Sequence, residues 1–288
     1  MIFFLRRSFC ISVAAVAAFL SLTSTQAAPV YQVTSPNGQR HFLGGSVHSL
    51  RGTDYPLPPA FSRAFDASSR LIFEAEPKDL SRSAANFLKA GHYPKGDSLK
   101  NHVDPRTYEY VGRIFRLLHV PEAEFSKYRP WLLAFQLQAL GAQGRAELGV
   151  EGFLTQRARA NSKPIFGLET LRDGVATFAD LSERQAEAFL LLTFLPSANP
   201  QVGNAELLAA WRRGETDYVW RITHDGFRDY PELGRRVLED RNRTWMPKIE
   251  RYFANSTPSF VVVGAAHLGG PEGLLRQLRS KGYKIELL

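Results

Sequence analysis

The sequence predicts an α/β fold, with a mostly parallel central sheet built from the N- and C-terminal parts of the chain and a large helical insertion between them. Two observations carry this prediction. Short apolar runs typical of buried strands lie near both ends, at 71–73 and at 260–263. The chain between about 100 and 255 shows helical patterns instead, interrupted by one short strand pattern at 164–168.

The first 28 residues have the layout of a bacterial signal peptide. Arg6 and Arg7 form a basic region, 9–22 is an apolar stretch, and Thr25-Gln-Ala27 is a small-residue cleavage site. The apolar run is shorter than the roughly 20 residues that cross a bilayer. We therefore expect no stable membrane span after cleavage and a periplasmic or secreted protein.

What remains is residues 29–288, predicted to be a single domain that contains the helical insertion. About 260 residues are enough for one large α/β domain. The only cysteine, Cys10, lies in the signal segment, so the mature chain can form no disulfide and use no thiol nucleophile.

The formal charge of +8 gives no reason to expect a nucleic-acid partner. Its basic residues are scattered among acidic residues on helical patterns, and no basic run interleaves with aromatic residues. A peptide or a small molecule is the expected partner.

The N-terminal elements follow from turn and alternation signals. Two alternating segments, 31–34 and 40–44, flank Asn37-Gly38 and predict a hairpin. Pro58-Pro59 opens a helix, 71–76 is the next strand, and an amphipathic helix is expected over 79–91.

Capping residues mark most of the later helices. Asp104-Pro105 starts one that runs to about His119, Pro121 and Pro130 start two more, and Ser182 caps another. The remaining predicted helices cover 151–161, 187–194, 207–213 and 231–252. A final helix stopped by Gly282 leads to a last strand at 283–287, which forms a βαβ unit with the strand at 260–263.

The pattern Gly-x-x-His follows a predicted strand at both ends of the chain. Gly45 precedes His48 and Gly264 precedes His267, and in each case a helix then leads into another strand. Since ligands of open α/β sheets bind beyond the carboxyl ends of the strands, both histidines are expected there. A third match ends at His41 and lies in an obvious turn.

Two glutamates end the strand at 71–76. Glu74 and Glu76 are two residues apart and would share one face, where a buried carboxylate needs a cation or a metal. Two imidazoles and a carboxylate match the metal sites of hydrolases, with His48, Glu74 and His267 as ligands and Glu76 as a base or as an acceptor next to the ligands. The alternative is that both glutamates emerge beyond the sheet into water.

Other polar residues rank lower as site residues. Glu169 could face the same crevice or cap the following helix, and Arg241, beside Asn242, could bind a substrate or form a surface ion pair. Glu151 looks like an acid at a helix start. The remaining histidines have structural contexts: His41, His92, His102, His119 and His224. Ser46 lacks the Gly-x-Ser-x-Gly pattern of a serine nucleophile.

An ordered set of motifs resembles the TraB/PrgY/GumN family, which includes the Tiki metalloproteases and is distantly related to erythromycin esterases and haem-binding ChaN-like proteins. The motifs are Leu43-Gly-Gly-Ser-Val-His48, Phe73-Glu-Ala-Glu76, Gly149-Val-Glu151, Gly167-Leu-Glu-Thr170, Arg241-Asn242 with Trp245, and Val263-Gly-Ala-Ala-His-Leu-Gly-Gly270. The resemblance implies a parallel-sheet fold with helical additions. For Tiki-like members it also implies a Mn²⁺- or Co²⁺-type peptidase, with roles that carry over to His48, Glu74 and His267. Glu76 departs from the pattern, which more often has aspartate there.

The leading hypothesis is a periplasmic hydrolase that acts on peptides and depends on a divalent metal such as Mn²⁺, Co²⁺ or Zn²⁺. The alternative is a non-catalytic protein that binds haem or a peptide signal in the same crevice. A third hypothesis, an accessory factor in envelope polysaccharide production, rests only on the GumN name.

Overall fold

The protein is described here from a computed structural model that covers residues 28–48, 50–76, 85–141, 149–194 and 204–288. Most of the predicted signal peptide, 1–27, and the first part of the helix expected at 79–91 lie outside these residues.

Six strands form one mixed sheet. In spatial order they are β4-β3-β5-β2-β1-β6, and β4, β3, β5 and β2 run parallel. The other two pairings, β2 with β1 and β1 with β6, are antiparallel. This confirms the predicted α/β fold with a largely parallel sheet. The strands are β1 (Val30–Thr34), β2 (Arg40–Ser46), β3 (Arg70–Ala75), β4 (Ile165–Glu169), β5 (Ser259–Gly264) and β6 (Lys284–Leu287).

The last strand joins the sheet at a place that the sequence pattern does not indicate. A simple βαβ unit would put β6 beside β5, but β6 pairs with β1 at the far edge. Both sides of β5 are already hydrogen-bonded, to β2 and to β3. The chain therefore crosses to the free edge of β1, where β6 still runs in the same direction as β5.

The helices begin where the capping residues predict. Asp104 accepts a hydrogen bond from the Arg106 amide at 2.8 Å, and Ser182 accepts one from the Gln185 amide at 3.3 Å. None of the helices in the described residues has the length and apolar content needed to cross a membrane. The helices are α1 (Pro59–Asp66), α2 (described over 85–90), α3 (Pro105–Leu117), α4 (Glu122–Phe125), α5 (Pro130–Gly141), α6 (Val150–Ala160), α7 (Leu171–Ala179), α8 (Glu183–Leu192), α9 (Asn204–Arg212), α10 (Thr216–Asp225), α11 (Pro231–Val237), α12 (Glu239–Phe253) and α13 (Leu274–Ser280).

Apolar side chains bury both faces of the sheet. One face packs against α1, α6 and α9, with Phe61 and Trp211 completely buried. The other packs against α12 and α13, with Trp245 completely buried. A third cluster joins the helices of the insertion around Trp131 and Phe189. The insertion therefore has a core of its own beside the sheet.

The buried imidazole of His41 makes the free energy of unfolding depend on pH. Its ring stacks on Phe253 at 4.5 Å, and neither ring nitrogen makes a hydrogen bond to a described residue. Burial lowers the pKa of His41 to about 4. Below about pH 6.5 the unfolded chain therefore binds a proton that the folded chain rejects, so the free energy of unfolding falls as pH falls.

We expect His41→Phe to remove this sensitivity while it keeps a ring against Phe253. The stability advantage of the variant over the parent should grow by about 2 kcal/mol between pH 7 and pH 5, at about 1.4 kcal/mol per pH unit below pH 6.5. Urea unfolding at the two pH values measures it. His119→Asn, at an exposed position, is the control. An equal advantage at both pH values would contradict the prediction.

Candidate active site

A cavity of about 740 Å³ lies at the carboxyl ends of the parallel strands. β2 and β5 are neighbours in register, with Ser46 opposite Gly264, so the two Gly-x-x-His turns leave the sheet side by side. The polar side of the cavity, as we call it, consists of Ser46, His48, Glu74, Glu151, Glu169, Arg241 and His267. The other lining residues are mainly apolar, and many of them come from the helical insertion.

Gly264 stands where three predicted site residues meet. A Cβ atom there would lie 3.3 Å from Glu74 Oε1, 3.5 Å from His267 Cδ2 and 3.6 Å from His48 Nε2. The Gly264 amide also donates a hydrogen bond to Glu74 Oε1 at 2.7 Å. The glycine thus lets the carboxylate and both imidazoles approach one backbone position.

The orientation of His267 follows from its contact with Asn242. Asn242 Nδ2 donates to the carbonyls of His267 and Glu272, both at 3.1 Å, so its Oδ1 is the acceptor for His267 Nδ1 at 2.8 Å. This network assigns the proton to Nδ1 and leaves a lone pair on Nε2, which accepts a long hydrogen bond from Arg241 Nη1 at 3.4 Å. Burial lowers the pKa of His267 to about 3, which keeps the ring neutral.

Arg241 joins two carboxylates on the polar side. Its Nη2 lies 2.6 Å from Glu74 Oε2 and 2.8 Å from Glu169 Oε1. Its guanidinium lies 4.4 Å from the Trp245 ring centre, and Trp245 Nε1 donates to Glu169 at 2.9 Å. Burial by itself would raise the pKa of Glu74, but the charge of Arg241, together with the hydrogen bond from the Gly264 amide, holds it well below its usual range. Glu74 is therefore an anion at neutral pH.

His48 has a carboxylate partner that the sequence reasoning did not assign. Glu151 lies in the first turn of α6, as predicted for a helix-start acid, but its Oε1 is also 2.9 Å from His48 Nδ1. The same oxygen accepts a hydrogen bond from Ser46 at 2.5 Å. The Glu151 carboxylate raises the pKa of His48 to about 9. The motif Gly149-Val-Glu151 marks Glu151 in the sequence. Its contact with His48 could not be predicted, because only the fold shows that α6 begins beside β2.

Glu76 stands apart from the residues that line this cavity. β3 ends at Ala75, so Glu76 lies just outside the strand. The alternation that would place Glu76 on the same face as Glu74 therefore does not reach it. Glu76 is half-buried and is not among the lining residues. Its predicted role as the base stays a prediction. Of the lower-ranked residues, Glu169 and Arg241 line the cavity, whereas Asn242 lies behind His267 and orients it.

A divalent ion fits two of the three predicted ligands as they stand. His267 Nε2 and Glu74 Oε1 are 3.8 Å apart. One ion with bonds of about 2.1 Å can bridge that gap, and an unprotonated imidazole and an ionised carboxylate are suitable donors. Within the described residues no three such side chains already converge on one point. A complete site would also need His48, whose Nε2 lies 3.6 Å from the ideal Cβ position of Gly264.

The whole described chain matches one protein family. The model of the TraB/PrgY/gumN family matches residues 29–287. The chain belongs to this family. Similar relatives include an uncharacterized protein YbaP from Escherichia coli strain K12, with 27% identity over 87% of this chain and 92% of the relative. The YbaP protein of Shigella flexneri is 26% identical over the same shares of the two chains.

Family membership confirms the resemblance that the ordered motifs indicate. No solved structure matches the chain significantly. The two relatives named above are themselves uncharacterized, so the case for an activity rests on the geometry of the site.

Proposed function

We propose that this member of the TraB/PrgY/gumN family is a periplasmic hydrolase that depends on a divalent metal and acts on peptides. One observation carries the proposal. Inside the cavity, the lone pair of neutral His267 and the ionised carboxylate of Glu74 are 3.8 Å apart, and His48 Nε2 faces the same glycine. When bound, a Mn²⁺, Co²⁺ or Zn²⁺ ion would supply Lewis acidity and lower the pKa of a coordinated water.

Each proposed ligand is supported by a second residue. Asn242 holds the His267 ring with Nε2 towards the cavity, and Arg241 keeps Glu74 ionised. Glu151 binds Nδ1 of His48, which leaves Nε2 as the nitrogen that faces Gly264. Such partners orient ligands and set their protonation. Because Glu151 raises the pKa of His48 to about 9, His48 must lose its Nε2 proton when a metal binds there.

The decisive experiment is metal analysis of protein purified without chelating resin, combined with peptide turnover before and after EDTA. Stoichiometric metal, turnover, and loss of turnover on chelation that added Mn²⁺, Co²⁺ or Zn²⁺ restores would support the proposal. Turnover that EDTA leaves unchanged would overturn it.

A second candidate function is a binding protein for haem or a peptide signal. The size of the cavity, about 740 Å³, and its largely apolar lining favour this alternative, because ligand sites of binding proteins share both features. Haem titration separates the two candidates. A Soret band that saturates at one haem per chain, in protein without peptide turnover, would replace the hydrolase with the binder.

Glu74 and Glu76 should respond differently to the same substitution. We expect Glu74→Gln to reduce metal occupancy, because an amide is a poorer donor than a carboxylate. If Glu76 is the base, Glu76→Gln should keep the metal and lose turnover. Metal content and turnover of the two purified variants test this. Equal metal loss in both would show that the base has been misassigned.

The periplasmic location in this proposal depends on the signal peptide. We expect export to remove the N-terminal segment and leave Ala28 or Pro29 as the first residue. Intact-mass analysis of protein from the periplasmic fraction tests it. A mass that includes Met1 would indicate an uncleaved anchor instead.

A further inference from the structure

A second cavity, of about 460 Å³, lies beside the turn that follows His267. It shares no lining residue with the cavity at the strand ends, which we now call the first cavity. α10 contributes to both, with Val219 and Thr223 in the first cavity, so this helix lies between them. Besides two prolines, the second cavity is lined by Trp220, His224, Glu232, Arg235, Glu239 and Glu272.

Two stacked rings form one side of the second cavity. Trp220 and His224 lie one helical turn apart on α10, with ring centres 4.7 Å apart and planes at 29°. A Cβ atom at Gly270 would collide with the indole, so this glycine lets the ring lie directly against the turn. Trp220 Nε1 also donates a hydrogen bond to Glu239 Oε1 at 3.3 Å. A carboxylate acceptor polarises the indole and makes its face more attractive to a cation.

The carboxylates of the second cavity outnumber the cations near them. Three glutamates line it, together with a single arginine. Glu272 forms an ion pair with Arg243 at 3.1 Å. Neither Glu232 nor Glu239 forms an ion pair with any residue that the structure describes. The second cavity therefore carries an excess of negative charge.

Glu239 points most directly to a cationic ligand. Its Oε2 is completely buried and has no hydrogen-bond partner among the described residues. Its position in the first turn of α12 is favourable because of the helix dipole. A partial charge of that kind does not replace a hydrogen bond or a counter-ion for a buried carboxylate oxygen. A cation in the second cavity would offset this cost.

We infer that the second cavity binds an organic cation with an aliphatic stem, the chemistry shared by lysine and arginine side chains and by polyamines. The charged group would lie over the Trp220 ring and beside Glu232 and Glu239, with the stem against the two prolines. A hard divalent ion is a poor alternative, because no three suitable side chains of the described residues converge on one point. This inference does not depend on the proposed hydrolase.

The test compares acetyl-lysine-amide with acetyl-norleucine-amide, which has the same stem without the charge. Titrations of the ¹⁵N-labelled mature chain follow the indole N–H signals, assigned by their loss in Trp220→Phe and Trp245→Phe. We expect the lysine compound to shift the Trp220 signal to saturation and the norleucine compound to bind about tenfold more weakly. Trp245, which donates to Glu169 at the first cavity, should keep its signal.

Cadaverine, titrated in the same way, separates the two sources of such a cation. Tighter binding than that of acetyl-lysine-amide would support the inference with a polyamine as the ligand. Weaker binding, still at the Trp220 signal, would support it with a basic side chain as the ligand.

Substitution of one carboxylate assigns the binding to the second cavity. Glu232 is exposed and unpaired within the described part of the chain, so Glu232→Gln should fold normally. We expect it to weaken binding of acetyl-lysine-amide about threefold, because it removes one attracting charge. Glu109→Gln is the matched control, since Glu109 is exposed on α3 and lines neither cavity. It should leave the affinity unchanged.

Three results would overturn the inference. Equal binding of the lysine and norleucine compounds would show that charge is not recognised. An equal shift of the Trp220 signal by MgCl₂ at the same ionic strength would indicate a general attraction of cations. A shift of the Trp245 signal without one at Trp220 would place the ligand in the first cavity. None of these measurements involves turnover, so failure of the proposed hydrolase would leave them unaffected.

Discussion

Arg241→Met is expected to destabilise the protein by about 3–5 kcal/mol, because it leaves two largely buried carboxylates without their cation. Glu74 and Glu169 are 17% and 7% exposed, and both contact Nη2 of Arg241. The loss should appear as a fall in melting temperature of roughly 10 °C, at about 2–4 °C per kcal/mol for a chain of this size. Differential scanning calorimetry at pH 7.5 measures it.

Two further variants show whether charge is the cause. Arg243→Met removes an arginine that is 63% exposed and pairs with Asp240 and Glu272, so it should cost under about 1 kcal/mol. Adding Glu169→Gln to Arg241→Met should recover part of the lost stability, because it removes one of the two unpaired charges. An Arg241→Met variant as stable as the parent would show that the two carboxylates do not depend on this cation.

Divalent metal is expected to raise the melting temperature, and His48→Ala and His267→Ala should each remove most of the rise. At free metal about 100-fold above the dissociation constant, a single site stabilises the native state by about 2.7 kcal/mol. The double variant should lose little more than either single variant, because both substitutions act on one ion. Melting curves with and without Mn²⁺, after EDTA treatment, provide the measurement.

The control for this experiment is His41→Ala. His41 is the last residue of the third Gly-x-x-His pattern and lies in β2, away from the cavity. It should lower the melting temperature of the metal-free protein but keep the metal-induced rise. A rise that persists in His48→Ala would remove His48 from the ligand set. Its contact with Glu151 would then be its main role.

Local patterns predicted the elements well because their causes lie within a few residues. The hairpin between β1 and β2 turns at Gly38, whose φ of +82° is a conformation that glycine adopts without strain. The cap residues Asp104 and Ser182 start α3 and α8 as predicted. In these cases the decisive hydrogen bonds join neighbouring residues, so spacing alone identifies them.

The partners of the site residues could not be predicted in this way. Arg241 contacts Glu74 across 167 positions of sequence and Glu169 across 72. Glu151 binds His48 only because α6 begins beside the end of β2, where the Val150 amide donates to the Val47 carbonyl. No spacing rule links these residues, since the packing of the helices on the sheet decides which side chains meet.

The sequence by itself determined the fold class, the family, and the two Gly-x-x-His turns that meet at the ends of β2 and β5. These rest on local hydrogen bonding and on an ordered set of motifs. Only the tertiary structure decided that Arg241 neutralises Glu74 and that β6 pairs with β1. It also decided that Phe178 faces the same cavity as His267. These contacts depend on which strand edges and helix faces remain free once the sheet has formed. Side chains that pack together there can come from distant parts of the sequence.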